Sequence, residues 1–276
     1  MPPKYSALSV VYSLRWQDGA ALVCAISYSL LAWVSIQPEF LNLWEFYGLL
    51  GISLCATLAV FAFSGKEGIT ASRIIFWALC FRLIGFLGEP LWEDDFFRYL
   101  WDGYRFYETG SPYGIAPSQF FGDSSISDQF RQILARINYP NVPTIYGPVA
   151  QYSFLLGHLI APGEVWVLQF IYAGIDMALV ILLLRFARDG LASNRWVLLY
   201  AWSPLVIKEI AFTAHPDGLG VMLLIAALYC RHAQYFFWVA VLLALSAVSY
   251  THLTLPTRCH RCRSRWWAGH FGGGGG

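Results

Sequence analysis

Charge is scarce in this sequence. Only 13% of its 276 residues are Asp, Glu, Lys or Arg, roughly half the ~25% usual in a soluble domain. The two signs nearly cancel, leaving a net charge of +1, so there is no basic excess with which to hold nucleic acid. Disorder is excluded from the opposite direction. It requires low hydrophobicity and high net charge, whereas 57% of these residues are hydrophobic and the mean hydropathy is +0.51. The six cysteines make no disulfide framework, because Cys24, Cys55, Cys80 and Cys230 each sit alone in an apolar run, where a thiol packs as a small hydrophobe. The first apolar run is not expected to be a cleavable leader. It is longer than the roughly 7–15 residues of a signal peptide, and no A-x-A site follows it.

What the chain has in excess is greasy and aromatic. Aromatics make up 17%, with 12 Trp, 16 Tyr and 20 Phe, more apolar surface than a water-soluble globule of this length can cover. Runs approaching the ~20 apolar residues of a membrane span occur at Gly19–Gln37, Tyr47–Phe63, Ile74–Gly88, Gly147–Ala161, Val165–Phe186, Trp196–Phe212, Gly218–Tyr229 and Tyr235–Ala247. The expected fold is therefore an all-α polytopic membrane protein of 7 or 8 hydrophobic helices, with one membrane domain over 1–247. Arg82 and Asp176 lie inside two of these runs. A lone carboxylate in mid-span is a functional candidate by default, but pairing with an arginine such as Arg82 to hold helices together is the favoured reading.

Basic residues near span ends set orientation. Lys4 and Arg15 precede the first run, and Lys66 and Arg73 precede the third, whereas the loop after the first run carries Glu39 and Glu45 and no base. This places the N-terminus in the cytoplasm and residues 89–146 outside. If the fourth run crosses fully, Arg185, Arg188 and Arg195 fall outside, against the rule. If it is re-entrant, they return to the cytoplasm and His215 and Asp217 join the acidic side. The short fourth run, with Gln151 and His158 inside it and Pro148 and Pro162 at its edges, favours re-entry.

The densest chemistry lies in residues 92–113, W-E-D-D-F-F-R-Y-L-W-D-G-Y-R-F-Y-E-T-G-S-P-Y. At 100° per residue, Phe96, Phe97, Leu100, Trp101, Tyr104 and Tyr107 share one arc, and Asp94, Asp95, Arg98, Asp102 and Arg105 share the opposed one. That pattern predicts an amphipathic helix lying in the membrane surface, with its polar face toward the protein or an aqueous cleft and its end at Gly110, Ser111 and Pro112. The i, i+4, i+8 spacing of Asp94, Arg98 and Asp102 also fits a plain salt-bridge ladder. The functional alternative is a carboxylate site beside the bilayer, with one carboxylate as general base and the arginine steadying an anion.

E-D-D-F-F-R-Y-L-W-D-G, then G-S-P-Y, then Y-P-N-V-P-T-I-Y-G-P-V-A-Q, with R-W-V-L-L-Y-A-W-S-P-L-V-I-K-E and H-P-D-G-L-G downstream, resembles the GT-C integral-membrane glycosyltransferases. The likeness is to the bacterial family 87 type and related polyprenyl-phosphate-mannose-dependent mannosyltransferases, and it covers about residues 92–229. The resemblance implies a multi-pass protein of the plasma (inner) membrane. It implies transfer of a sugar, a hexose such as mannose, from a polyprenyl-phosphate carrier to a glycan, lipid or protein acceptor hydroxyl on the outer face, with inversion. Carried onto this chain, the acidic pair is Asp94 and Asp95, with Asp94 favoured as base. In many members the acidic loop follows the first span, whereas here three apolar runs precede it, so the first two read as an added hairpin.

The chemistry asks for a carboxylate to activate the hydroxyl and for positive charge or oriented donors at the departing phosphate. Arg98, Lys208 and His215 are the candidates. Lys208 and Glu209 end an apolar run behind Pro204, where snorkelling to the interface competes with a contact to donor phosphate or acceptor. His215, Pro216 and Asp217 form a short loop that fits a metal pair, a proton relay or a plain turn, two ligands being too few for a zinc site, and the resemblance assigns it to the substrate site. Trp101, Asp102, Tyr113, Tyr146 and Gln151 complete the substrate-binding set, with interfacial anchoring an equal account of the tyrosines. No metal-ligand cluster is visible in the sequence, and neither metal nor cofactor is expected. The alternative function is a non-enzymatic polytopic protein, such as a lipid-linked-sugar flippase or transporter, which would be expected to show internal repeats. None is clear.

From Val248 onward the composition shifts. S-Y-T-H-L-T-L-P-T resembles translated adaptor read-through, and five glycines close the chain. Residues 248–276 are expected to be a non-native or disordered tail on a C-terminally truncated domain. The spacing of Cys259, His260, Cys262 and His270 is poor for a zinc knuckle.

Overall fold

In the computed structural model, residues 15–37, 42–64, 68–91 and 93–249 are described. The tail cysteines and histidines, Lys4, Lys66 and Glu39 lie outside these residues. The described chain is all-helical: α1 (Trp16–Ser35), α2 (Leu43–Phe63), α3 (Ala71–Phe86), α4 (Phe96–Thr109), α5 (Asp128–Ala135), α6 (Pro148–Ile160), α7 (Val165–Arg188), α8 (Asn194–Ala201), α9 (Pro204–Val206) running into a π-helix (Ile207–Phe212), α10 (Asp217–His232) and α11 (Phe236–Ala247). Three helices, α1, α2 and α7, are long and apolar enough to cross a membrane, or four if the bent pair 194–212 and 217–232 counts as one span. The other expected spans are helices of 12 to 16 residues, short of the ~20 that a full crossing needs.

Hydrogen bonds at the helix termini define the two ends of the bundle. At one end, Gln17 Nε2 donates to Ser64 Oγ (3.0 Å), Asn194 Nδ2 to the Ile69 carbonyl (3.1 Å) and Arg195 to the Phe61 carbonyl (2.6 Å). This gathers the start of α1, the end of α2 and the starts of α3 and α8. The end of α7 joins them. Arg185 and Arg188 share a groove with Ala71 and Asn194. At the other end, the Glu89 N–H donates to Ser35 Oγ (2.9 Å), and Gln169 Nε2, at the start of α7, donates to the carbonyls of Gly88 (2.9 Å) and Phe212 (2.8 Å). The chain turns back through 119° at residues 213–216. Tyr229 on α10 then returns to bond Asp189 at the arginine end (3.1 Å). His215 and Asp217 thus lie at the end of the acidic 89–95 segment, and Arg185, Arg188 and Arg195 at the opposite one.

The interior falls into two apolar clusters. One fills the bundle of α1, α2, α3, α7 and α8 around Tyr28, Phe81 and Trp202, and the other packs α4 and α5 onto α6 and α7 around Tyr99, Trp101, Phe130, Phe154 and Tyr172. In the first, Arg82 Nε donates to Asp176 Oδ2 at 2.6 Å, the Tyr200 hydroxyl donates to Asp176 Oδ1, and both charged residues are buried. The acid in the middle of the apolar α7 therefore pairs with the arginine that the sequence offered as its partner. In the second, α4 lies almost backbone to backbone on α6. A Cβ at Gly103 would sit 2.5 Å from the Phe154 carbonyl oxygen, closer than any side chain tolerates, and small residues are what permit such approach between helices. Gly103→Val is expected to destabilise the protein by at least the ~1–3 kcal/mol of an overpacked core. A thermal unfolding midpoint equal to wild type would refute that account of the contact.

The amphipathic stretch differs from its expected form. The helix begins at Phe96, so Asp94 and Asp95 precede it, and Gly110 ends it in the left-handed conformation (φ 71°). The face carrying Leu100 and Trp101 packs into the second cluster. Asp102, on the side expected to be polar, is only 2% exposed. The reason is that Thr144, just before α6, and Gln151, on α6, close over it and bring their own polar groups to it.

Candidate functional site

The sequence-predicted residues separate into two groups. The first gathers at the end of the bundle where the acidic segment meets the π-helix. Lys208 Nζ lies 2.9 Å from Glu93 Oε1 and 3.1 Å from Glu209 Oε1. The other oxygen of Glu209, Oε2, lies 2.5 Å from His215 Nδ1, and His215 Nε2 lies 4.0 Å from Asp95 Oδ2. The result is a row of alternating charge, Glu93–Lys208–Glu209–His215–Asp95, drawn from two segments more than a hundred residues apart in sequence. An ionised carboxylate only accepts, so the Nδ1 of His215 carries the proton toward Glu209, and Nε2 is turned toward Asp95. Asp94 stands beside the row, exposed, and accepts a hydrogen bond from Asn138 Nδ2.

The backbone around Lys208 and His215 is unusual, and this places the side chains. The π-helix puts Lys208 and Glu209 consecutively at the rim. Thr213 N–H closes on the Lys208 carbonyl (3.2 Å), and His215 N–H closes on the Glu209 carbonyl (3.0 Å). Between them Ala214 is held at φ 55°, a left-handed conformation that a residue with a Cβ rarely adopts. π-helical turns and such strained residues concentrate at functional sites. Phe212 locks the turn against α3. A Cβ at Gly88 would lie 2.6 Å from its ring, and Gln169 holds its carbonyl.

Burial lifts the Asp95 carboxyl above the ordinary carboxylate range; the charges of Glu93 and Asp94 push the same way, while His215 and Asn138 hold it back. A half-buried carboxyl so placed keeps its proton more readily than a surface one and is correspondingly the stronger base once ionised. Beside the row opens a cavity of about 250 Å³ whose walls are Leu43, Phe46, Tyr47 and Leu50 of α2 with Leu205, and whose polar end is Glu93, Lys208 and Glu209. An apolar slot ending on a cation and two carboxylates suits an amphiphile better than a soluble polar molecule. Glu93, Asp95 and His215 each offer one donor atom, all within 4.8 Å of one another. Among the described residues, these three, invisible as a cluster in sequence, are the ones whose donor atoms lie close enough together to hold a divalent cation.

The second group lies away from this row. Arg98 Nε bonds Asp102 Oδ1 (2.9 Å), and its terminal nitrogen bonds the Val142 carbonyl (2.9 Å). The buried Asp102 also accepts from Thr144 and from Gln151 Nε2 (2.9 Å). Burial raises the Asp102 carboxyl despite the opposing pull of Arg98, Thr144 and Gln151. Of the expected ladder only the Arg98–Asp102 step forms, because Asp94 lies outside the helix. Gln151 is fully buried and Trp101 is 1% exposed, packed against Tyr104 and Phe120. Asp102 and Gln151 tie α4 to α6, Trp101 packs α4 against Phe120, and all three present little surface to a substrate. The Tyr113 hydroxyl donates to the Tyr146 carbonyl (3.2 Å). The Tyr146 ring meets Tyr99 edge-on, and burial pushes its hydroxyl up to about 12. Tyr99 in turn lies edge-on to His215 at 6.4 Å, so this aromatic run links the two groups. Asp217 opens α10, exposed, two residues beyond His215.

Sequence reasoning missed Glu93 as a site residue, although it adjoins the acidic pair, and missed Asn138, whose partner lies 44 positions away. No protein-family model, curated protein or solved structure matches this chain.

Proposed function

We propose that this protein is a membrane glycosyltransferase of the GT-C type. It moves a sugar from a polyprenyl-phosphate carrier to an acceptor hydroxyl, with inversion at the anomeric carbon. The observation that carries the reading is the convergence of Glu93 and Asp95 with Lys208, Glu209 and His215 at one mouth of a helical bundle, with Asp94 between the two acids in sequence, beside a cavity whose apolar walls meet Glu93, Lys208 and Glu209. In the reaction, a carboxylate takes the acceptor proton as the acceptor oxygen bonds to the anomeric carbon. The bond from that carbon to the phosphate oxygen breaks, and the lipid phosphate leaves with the electron pair. Asp94, exposed and steadied by Asn138, is the base. Asp95 lies one residue further in, against His215. Lys208 and His215 face the phosphate, and Arg98 is committed to Asp102 and the Val142 carbonyl.

The charge distribution supports an orientation. Arg15, Arg73, Arg185, Arg188 and Arg195 belong to the end opposite the site, with Asp18 and Asp189 paired among them, while the basic residues of the site side are Arg98, Arg105, Arg131 and Arg136 of the long 89–146 segment and Lys208, which is paired with Glu93 and Glu209. With the arginine end cytoplasmic, the site faces outward, and the short α6 lies within the outer half without crossing. The 7 or 8 hydrophobic segments of the sequence then comprise crossing helices together with shorter ones that reach only part of the way. A transporter would place its polar site near mid-bilayer between broken helices. The ionisable pair at that depth here, Arg82 and Asp176, is closed off by packing, with each residue at most 1% exposed.

The test uses proteoliposomes carrying the full chain and polyprenyl-phosphate-mannose labelled in the sugar. Label should pass to an acceptor or to water while free polyprenyl phosphate accumulates. Label that crosses the bilayer still attached to its lipid identifies a flippase instead, and intact donor on its original leaflet removes both readings.

A further inference from the structure

We propose that the groove at the arginine-bearing end of the bundle binds the phosphate headgroup of an anionic phospholipid. The groove has a volume of about 720 Å³ and lies where the start of α3, the end of α7 and the start of α8 meet, with Arg185, Arg188, Arg195 and Asn194 among its walls. Positive charge is in excess there. Arg195 is fixed by two hydrogen bonds to the Phe61 carbonyl (3.0 and 2.6 Å), and Arg185 makes no ion pair among the described residues. Asp189, the acid adjoining them, is held by Arg188 (3.4 Å) and by the Tyr229 hydroxyl (3.1 Å).

Two helix N-termini open into the same space. Ala71 and Asn194, the first residues of α3 and α8, line the groove, and neither Thr70 nor Ser193, their N-cap residues, closes its helix with a side-chain hydrogen bond. The first backbone N–H groups of both helices are therefore left without a capping side chain, and both dipoles present their positive ends to one volume. Guanidinium groups joined to two such termini make a phosphate site.

The remaining wall identifies the source of the phosphate. Ile75, Ile181 and Leu184 continue the groove along α3 and α7, and Ile181 is 42% exposed on the flank of the longest apolar helix. A free anion has no use for that wall, whereas an acyl chain does. Arginines immediately beyond an apolar helix are what the anionic leaflet attracts. This inference rests on the helices lying in a bilayer and not on sugar transfer, so it stands or falls separately from the enzymatic reading.

The experiment compares the full chain with its R185Q/R188Q variant. Both are reconstituted in equal mixtures of phosphatidylglycerol and phosphatidylcholine, extracted in non-ionic detergent and weighed by native mass spectrometry. Arg195, which ties α8 to α2, is left in place, and an unchanged unfolding midpoint shows that the variant is folded. Wild type is expected to retain phosphatidylglycerol over phosphatidylcholine. Losing two juxtamembrane arginines should weaken that retention about thirtyfold, and excess inorganic phosphate should leave the lipid in place. Equal retention of the two lipids by wild type, undiminished phosphatidylglycerol on the folded variant, or complete displacement by inorganic phosphate would each overturn the proposal.

Discussion

Asp176→Ala is expected to destabilise the protein by about 3–5 kcal/mol, the toll of leaving one partner of a buried ion pair without the other. Arg82 is 1% exposed and Asp176 fully buried, and the pair joins α3 to α7 at 2.6 Å. Two further interactions make the loss larger than one bond. The Tyr200 hydroxyl donates to the same carboxylate, and Arg82 also reaches back to the Ala78 carbonyl (3.0 Å) and across to the Ala201 carbonyl (2.7 Å). With the carboxylate gone, the guanidinium keeps only neutral acceptors and the tyrosine loses its partner, in surroundings where an uncompensated charge is at its most unfavourable. The control is the double replacement R82M/D176L. It removes both charges and keeps apolar volume, so it should recover most of the loss, because a buried ion pair contributes little over well-packed hydrophobic groups. Unfolding midpoints in one detergent measure both. If the single variant melts with wild type, the pair is incidental. If the double variant is as unstable as the single, the defect is lost shape and not stranded charge.

That pair was legible in the sequence because it needed only two facts, an arginine and an aspartate each alone in an apolar run. The placement of His215 beside the acidic segment was legible for a related reason. Moving Arg185, Arg188 and Arg195 to the end shared by Arg73 forces the next turn to the opposite end. Residues 94–102 were less readable. Helical periodicity treats Asp94, Arg98 and Asp102 as one face, but it is silent on where the helix starts, and a start at Phe96 removes Asp94 and Asp95 from that face. Nor can period or spacing see Thr144 and Gln151, which lie 42 and 49 positions from Asp102 and turn it from a rim residue into a buried one. The same blindness to distant partners hid Glu93, whose cation is 115 positions away. Apolar runs of 12 to 16 residues read as spans because hydropathy registers composition, whereas crossing a bilayer is a matter of length.

Asp94→Asn is expected to lower sugar transfer by about 10²–10⁴-fold, the usual contribution of a positioned general base, with little change in the affinity for the donor lipid. The replacement keeps the shape of the side chain. An asparagine at 94 can still accept the hydrogen bond from Asn138 Nδ2 through its own carbonyl oxygen, so the local fold should persist and the lost function is proton acceptance alone. Asp95→Asn should act differently. Asp95 is more buried than Asp94 and stands 4.0 Å from His215 Nε2, so its neutralisation alters the charge that orients the imidazole. Its expected effect is a smaller fall in turnover accompanied by weaker donor binding, where Asp94→Asn changes turnover alone. Single-turnover transfer at saturating polyprenyl-phosphate-mannose separates the two quantities. If Asp95→Asn abolishes turnover while Asp94→Asn merely slows it, the base is Asp95, whose raised carboxyl suits that role. If both variants turn over at the wild-type rate, the carboxylates at this mouth take no part in proton transfer, and the row from Glu93 to Asp95 is a structural tie between the acidic segment and the π-helix.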